Sequence, residues 1–267
     1  MSMENPRRYG NEPYSTVLVH GGPGAPGEMK PVALELSKSV GIIEPLQTAN
    51  SVQGQIEELI LAIEKGASTP VVLIGWSWGA WLAYLVAAQK PELVKKLIIV
   101  SSGPFEEKYT EGMMKTRLSR LSEQEKLKAK EILLLLQEGK ASDKDFNEFG
   151  GLMDKADSFS PNPHKDGTDL DMSKFGADIY ERVWPEADKM RKSGQLLEEG
   201  KKIVCPVVAI QGDYDPHPAI GVKEPLEKVL KDFHFILLKN CGHHPWYEKE
   251  AKDNFYQILL REIQQAI

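Results

Sequence analysis

Cysteine is nearly absent from this chain. Two in 267 residues are too few for a disulfide framework. Cys205 precedes the strand-like run "PVVAIQG" and Cys241 follows "HFILLKN". If those runs are parallel neighbours, the thiols lie at opposite ends of a sheet, beyond the ~7 Å Cα limit for a bridge. Two free thiols are expected. No Cys/His spacing suggests zinc, and neither a metal nor another cofactor is expected. Long apolar runs are missing too, since none approaches the ~20 residues of a spanning helix. The opening "MSMENPRRYGNEP" has two arginines with no apolar stretch behind them. No signal peptide is expected, and the cytoplasm is the default compartment. An excess of positive charge is also lacking: the formal net charge is −6 and the pI about 5.6. Both argue against nucleic acid or an anionic membrane as partner. A small molecule is the partner expected; the sequence says nothing of oligomeric state.

What is present is an ordinary globular balance, 41% hydrophobic and 27% charged. Short apolar runs alternate with helical patterns. Strands are expected at 14–20, 40–45, 70–75, 95–102, 206–212 and 234–240. Between them, 51–65 carries Ile56, Leu59, Ile60 and Ile63 at helical spacing with Gly66 at the stop. Alternating βα units imply a mostly parallel sheet with right-handed crossovers and helices on both faces. The rhythm breaks after the fourth strand. Residues 104–185 hold no strand-like run, but Ser122 and Glu125 have capping-box spacing ahead of a helix reaching Gly139. Another helix fits 143–155, with Phe146, Phe149 and Met153 on one face, and 158–173 reads as a loop. The expected organisation is an α/β core from 1–103 and 186–267 with a helical cap, 104–185, inserted in it. A final helix is expected from Trp246 onward.

One stretch carries chemistry. In "VVLIGWSWGAWLAYLVAA" a buried strand runs into Gly75-Trp76-Ser77-Trp78-Gly79 and then directly into an apolar helix. A serine is a poor nucleophile unless it is exposed, has a base in reach and has donors for a developing oxyanion. A tight strand-to-helix turn exposes it, aims a helix N-terminus at the reacting centre and requires glycine two positions away on each side. The base and its orienter are sought at the ends of the last two strands. There "QGDYDPHP" offers Asp213 and Asp215, and "NCGHHPWYE" offers His243 and His244. An acid holding one imidazole nitrogen while the other takes the serine proton is the usual division of labour. The chain order Ser, Asp, His suits it.

From "VLVHGGPG" to the C-terminus the chain resembles the α/β-hydrolase fold superfamily. The resemblance selects Asp215, which ends a G-x-x-D turn, and His243, which follows glycine in a G-H-x-P-x-x-E stretch; Asp213 and His244 stay as alternatives that otherwise shape the turns. In that superfamily an HG-x motif follows the first of these strands, so "HGGPG" (20–24) implies that the backbone N–H groups of Gly22 and Trp78 form an oxyanion hole. His20 is expected to brace this loop, Trp76 to pack beneath the elbow, and His164 and His217 to lie on the surface. With about thirteen residues ahead of the first strand, the superfamily's leading antiparallel hairpin is expected to be missing. "HGGPG", "GWSWG" and "EPLQTANSVQGQIEEL" further resemble proline iminopeptidases. The resemblance implies a serine hydrolase acting on a small ester, an amide or a short peptide. The alternatives are an N-terminal prolyl aminopeptidase and a non-catalytic binder on the same fold.

Overall fold

Alternation along each strand decides which layer a side chain joins, and in this chain both layers are apolar. The computed structural model describes residues 5–24, 26–138, 140–162 and 176–266. Its strands are β1 (Arg7–Tyr9), β2 (Tyr14–Val19), β3 (Gly41–Glu44), β4 (Val71–Trp76), β5 (Val94–Val100), β6 (Val207–Gly212) and β7 (Phe233–Leu238). They form one sheet in the order β1-β3-β2-β4-β5-β6-β7. In β4, Val71 and Leu73 join one hydrophobic cluster while Val72, Ile74 and Trp76 join the other. Burial on both faces explains why the strand reads as an unbroken apolar run.

Helices α2 (Val52–Gly66), α3 (Trp78–Gln89) and α9 (Ile220–Val229) cover the first face; α1 (Lys30–Leu36) and α10 (Lys252–Gln264) cover the second. Every residue of α3 from Trp78 to Ala88 is buried, as a helix apolar all round requires. All sheet neighbours from β3 to β7 are parallel, and β1 runs antiparallel on β3.

That edge strand corrects the expected count of six. Arg7-Arg8-Tyr9 has no apolar run to betray it; side chains hold it instead. The Tyr9 hydroxyl donates to Glu44 Oε2 at 2.8 Å, and Arg7 stands 3.6 Å from the same oxygen. Because β1 pairs with β3 and not β2, the antiparallel element among the described residues is a single edge strand rather than a hairpin.

Between β5 and β6 lie α4 (Met113–Ser119), α5 (Glu123–Gln137), α6 (Asp143–Asp157), α7 (Gly176–Lys192) and α8 (Gln195–Glu199). The capping box forms: Ser122 accepts from the Glu125 N–H and Glu125 accepts from the Ser122 N–H. Leu121, Ala129, Met153 and Ala156 make a small core of their own, against which Phe149 packs. The side chain of Phe146 and residues 163–175, with His164, lie outside the described residues. Residue 185, where the sequence places the end of the insertion, falls inside α7, and its neighbours Val183 and Ala187 join the main core. The last helix starts at Lys252 and not at Trp246, because the preceding chain is held in turns: the Tyr247 N–H donates to the His244 carbonyl at 2.9 Å and the Lys249 N–H to the Ser160 carbonyl at 3.1 Å. Cys205 and Cys241 are buried and unbridged. Among the described residues no helix is long and apolar enough to cross a membrane.

Candidate active site

Strand β4 ends at Trp76, α3 begins at Trp78, and Ser77 between them sits at φ 54°, ψ −119°. A non-glycine residue held there stores roughly 1–3 kcal/mol of strain. The surroundings enforce it. The Ser77 N–H donates to the Val100 carbonyl at 3.0 Å and the Ser77 carbonyl accepts from the Ala80 N–H at 3.1 Å. A methyl group on Gly75 would strike the Gly79 carbonyl, and one on Gly79 would strike the Val19 carbonyl. Glycine at both positions is therefore a packing requirement of the turn. The hydroxyl is left facing a cavity of about 610 Å³ between the strand ends and the inserted helices.

Two loops deliver partners to that hydroxyl. His243 Nε2 lies 3.2 Å from Ser77 Oγ, and His243 Nδ1 lies 2.9 Å from Asp215 Oδ2. With the proton on Nδ1, Nε2 is free to accept from the serine. Asp215 is fully buried at its side chain. Its Oδ2 also accepts from Gln211 Nε2 at 3.1 Å, and its Oδ1 accepts from the backbone N–H of His217 at 2.9 Å and from His217 Nδ1 at 2.8 Å. Of the alternatives, Asp213 is exposed and bonds the Cys241 N–H at 3.3 Å. His244 packs against the Trp76 ring at 4.6 Å. The structure thus brings together Ser77, His243 and Asp215, and leaves Asp213 and His244 shaping their turns.

Burial alone would raise the Asp215 carboxyl, but His243 and His217 outweigh it and hold the group well below the usual carboxylate range. Burial likewise disfavours the charged form of His243, yet the Asp215 charge and hydrogen bond prevail and leave it above its ordinary 6.5. For His217 burial wins and its pKa falls, so it stays a neutral imidazole. His217 is not the surface residue expected; its side chain is only 14% exposed. Asp215, His217 and His243 bring metal-capable atoms within 4.8 Å of one another. Both imidazoles, however, commit Nδ1 to the same carboxylate.

Gly22, at φ 113°, and Trp78 both line the cavity beside Ser77. Behind Gly22, His20 is buried; its Nδ1 meets the Gly21 carbonyl at 2.9 Å and its Nε2 accepts from the Gln47 N–H at 3.1 Å. Burial lowers its pKa to about 4, so it is a neutral brace. The Trp78 indole N–H is held by Gln47 and Gln55 at 3.0 and 2.9 Å. Trp76 lies beneath the elbow, 3% exposed, and its indole N–H donates to the His243 carbonyl at 2.9 Å. The elbow thereby sets the height of the histidine loop.

The inserted helices reach the same loop. The His243 N–H donates to the Asp157 carbonyl at the end of α6, at 2.9 Å. Glu248, 1% exposed, accepts from the Gly242 N–H (3.0 Å), the Phe159 N–H (2.8 Å) and the Ser160 N–H (2.7 Å). One carboxylate therefore joins the end of the insertion to the loop that carries His243. Arg117 of α4 makes a two-pronged pair with Asp157, with Nε–Oδ1 at 2.8 Å and Nη2–Oδ2 at 2.6 Å, and its Nη2 stands 3.5 Å from His217 Nε2. Glu248 is legible afterwards as the last letter of G-H-x-P-x-x-E. Nothing in the sequence pointed to Arg117 or Asp157.

Comparison with known proteins agrees with this architecture. The model of the alpha/beta hydrolase fold family matches residues 52–250. Among curated proteins none matches the chain. Solved structures with the same fold include VinJ, at 18% identity and TM-score 0.70 over 98% of this chain and 95% of that one. A thermophilic esterase from Thermogutta terrifontis aligns at 17% identity and TM-score 0.61, covering 98% and 94%. A proline iminopeptidase from Mycobacterium smegmatis aligns at 15% and 0.61, also covering 98% and 94%. At such identities the structures speak for the fold alone. With three quarters of its length matched by the family model and the sheet, crossovers and elbow in place, the chain belongs to the α/β-hydrolase fold family.

Proposed function

We propose that this protein is a serine hydrolase that cleaves a small ester or amide through an acyl-enzyme. The observation that carries the reading is the relay from a strained, cavity-facing Ser77 to His243 Nε2 at 3.2 Å and on to buried Asp215 at 2.9 Å. In this reading His243 takes the serine proton as Oγ attacks the carbonyl carbon. Gly22 and Trp78 donate backbone N–H groups to the oxyanion, and the imidazolium returns the proton to the leaving alkoxide or amine. Water, deprotonated by the same imidazole, then releases the acid. Asp215 stabilises the imidazolium and fixes its tautomer without taking a proton itself. Met113, Met114, Leu133, Leu136 and Phe149 give the cavity an apolar wall, which suits a compact apolar acyl or leaving group. No metal or cofactor enters the scheme. Two unbridged thiols suit the cytoplasm as compartment.

A fluorophosphonate probe tests this directly. Labelling of the wild type but not of Ser77→Ala supports the reading. A folded wild type that resists the probe supports a non-catalytic binder instead.

A second reading, a proline iminopeptidase-like aminopeptidase, is favoured by one observation. Glu28 faces the cavity, and among the described residues no basic side chain pairs with it. Burial first, and then Asp154, push its carboxyl well above the ordinary range. A substrate ammonium would relieve that repulsion. Faster hydrolysis of proline p-nitroanilide than of p-nitrophenyl acetate, with a raised KM for the anilide alone in Glu28→Gln, selects this reading; the reverse preference selects the esterase.

A further inference from the structure

The catalytic acid of the proposed relay needs one imidazole, and Asp215 has two. His217 Nδ1 occupies Oδ1 at 2.8 Å while His243 Nδ1 occupies Oδ2 at 2.9 Å, with the two rings 4.7 Å apart. The far nitrogen of His217 faces Arg117 of α4 at 3.5 Å, and Arg117 is locked to Asp157, whose own carbonyl holds the His243 N–H. We infer that His217 is a positioning residue: it holds the second oxygen of the catalytic carboxylate and connects that carboxylate to the Arg117–Asp157 pair of the inserted helices. The inference rests on the reading of Ser77, His243 and Asp215 as a catalytic relay.

The chemistry follows from the number of donors. A carboxylate that shares its charge between two N–H donors attracts each less strongly than it would attract one. With neutral His217 present, less of the Asp215 charge is available to stabilise protonated His243. The imidazole therefore becomes a free base at lower pH than it would beside an unshared carboxylate. The titratable and charged groups around His243 are Asp215 and His217 from the loop after β6, Asp157 from α6, Arg117 from α4 and its neighbour His244. Of these, Arg117 acts in the same direction as His217, since its positive charge opposes protonation of His243.

The experiment follows the second-order rate of fluorophosphonate labelling from pH 5 to 9, which needs no knowledge of the substrate. In His217→Phe, which keeps a planar ring and removes the donor, the acid limb is expected to move upward by about one pH unit, the size that loss of a hydrogen bond to a charged group produces. His217→Asn places an amide N–H where Nδ1 stood, and returns the limb toward the wild-type position. If His217→Phe does not fold, Arg117→Met reads the same limb and is expected to move it upward as well. A limb that stays in place in the folded variants overturns the inference, and so do equal shifts in Phe and Asn. Those results leave the relay standing as long as labelling still requires Ser77; a wild type that does not label takes both readings down together.

Discussion

Removing the Glu248 carboxylate tests whether the inserted helices hold the loop that carries His243 in place. In Glu248→Ala three backbone donors, on Gly242, Phe159 and Ser160, lose their acceptor at once. The Gly242 N–H is buried and cannot turn to water, which costs about 1–3 kcal/mol; the other two are partly buried and cost about 1 kcal/mol each. The expected loss is about 3–5 kcal/mol, a large share of the roughly 5–15 kcal/mol that stabilises a folded domain. Glu248→Gln keeps an oxygen for two of the donors and loses the one serving Ser160, so about 1–2 kcal/mol is expected. Urea unfolding followed by tryptophan fluorescence measures both variants. Activity should fall with stability in a particular way. His243 sits one residue from Gly242, and a displacement of ~1 Å at the base costs about 10²-fold in rate. An alanine variant that unfolds within 1 kcal/mol of the wild type by the same measure, at undiminished activity, would refute the idea that this carboxylate fastens the two segments.

Three further outcomes are expected. Gly75→Ala should cost more than the about 1–3 kcal/mol of ordinary overpacking, because its methyl meets the backbone carbonyl of Gly79 rather than a yielding side chain; thermal melting checks this, and an unchanged melting temperature counts against the turn's geometry. In the proposed reading His243 is a neutral base, and Asp215 raises its pKa above 6.5 against the effect of burial, so kcat/KM should fall as pH drops through that pKa and be maximal above it. A profile flat from pH 5 to 8 contradicts the assignment. Asp215→Asn should lower kcat by about 10⁴-fold, whereas Asp213→Asn, altering an exposed turn, should leave it within about tenfold of wild type; equal losses would return Asp213 to candidacy.

Much of this could be seen in the letters alone, for local reasons. Gly75 and Gly79 flank Ser77 because backbone carbonyls crowd both positions, and such crowding leaves a mark at fixed spacing. The six parallel strands announce themselves by short apolar runs, most plainly β4, which is buried along its whole length. Arg7–Tyr9 gave no such mark, since its pairing depends on Glu44, far along the chain, and on an edge that exists only once β3 is laid down. The start of the last helix was hidden for a related reason: Trp246 is 2% exposed and apolar like a helix face, but it packs from a turn. The burial of His217 left no mark in its own stretch, because it depends on contact with Arg117 of α4, 100 residues away in the chain. Arg117 and Asp157 came from a segment whose sequence carries helix signals and no sign of where those helices rest.

The bond from the Trp76 indole to the His243 carbonyl spans 167 residues of chain and joins the two halves of the site through an atom that neither reacts nor binds. Its consequence concerns recombination. A chimaera that takes its elbow from one relative and its histidine loop from another inherits a mismatched pair, because a smaller residue before the serine leaves the carbonyl unsupported. Exchange of the segments around Trp76 and His243 should therefore succeed only when both travel together.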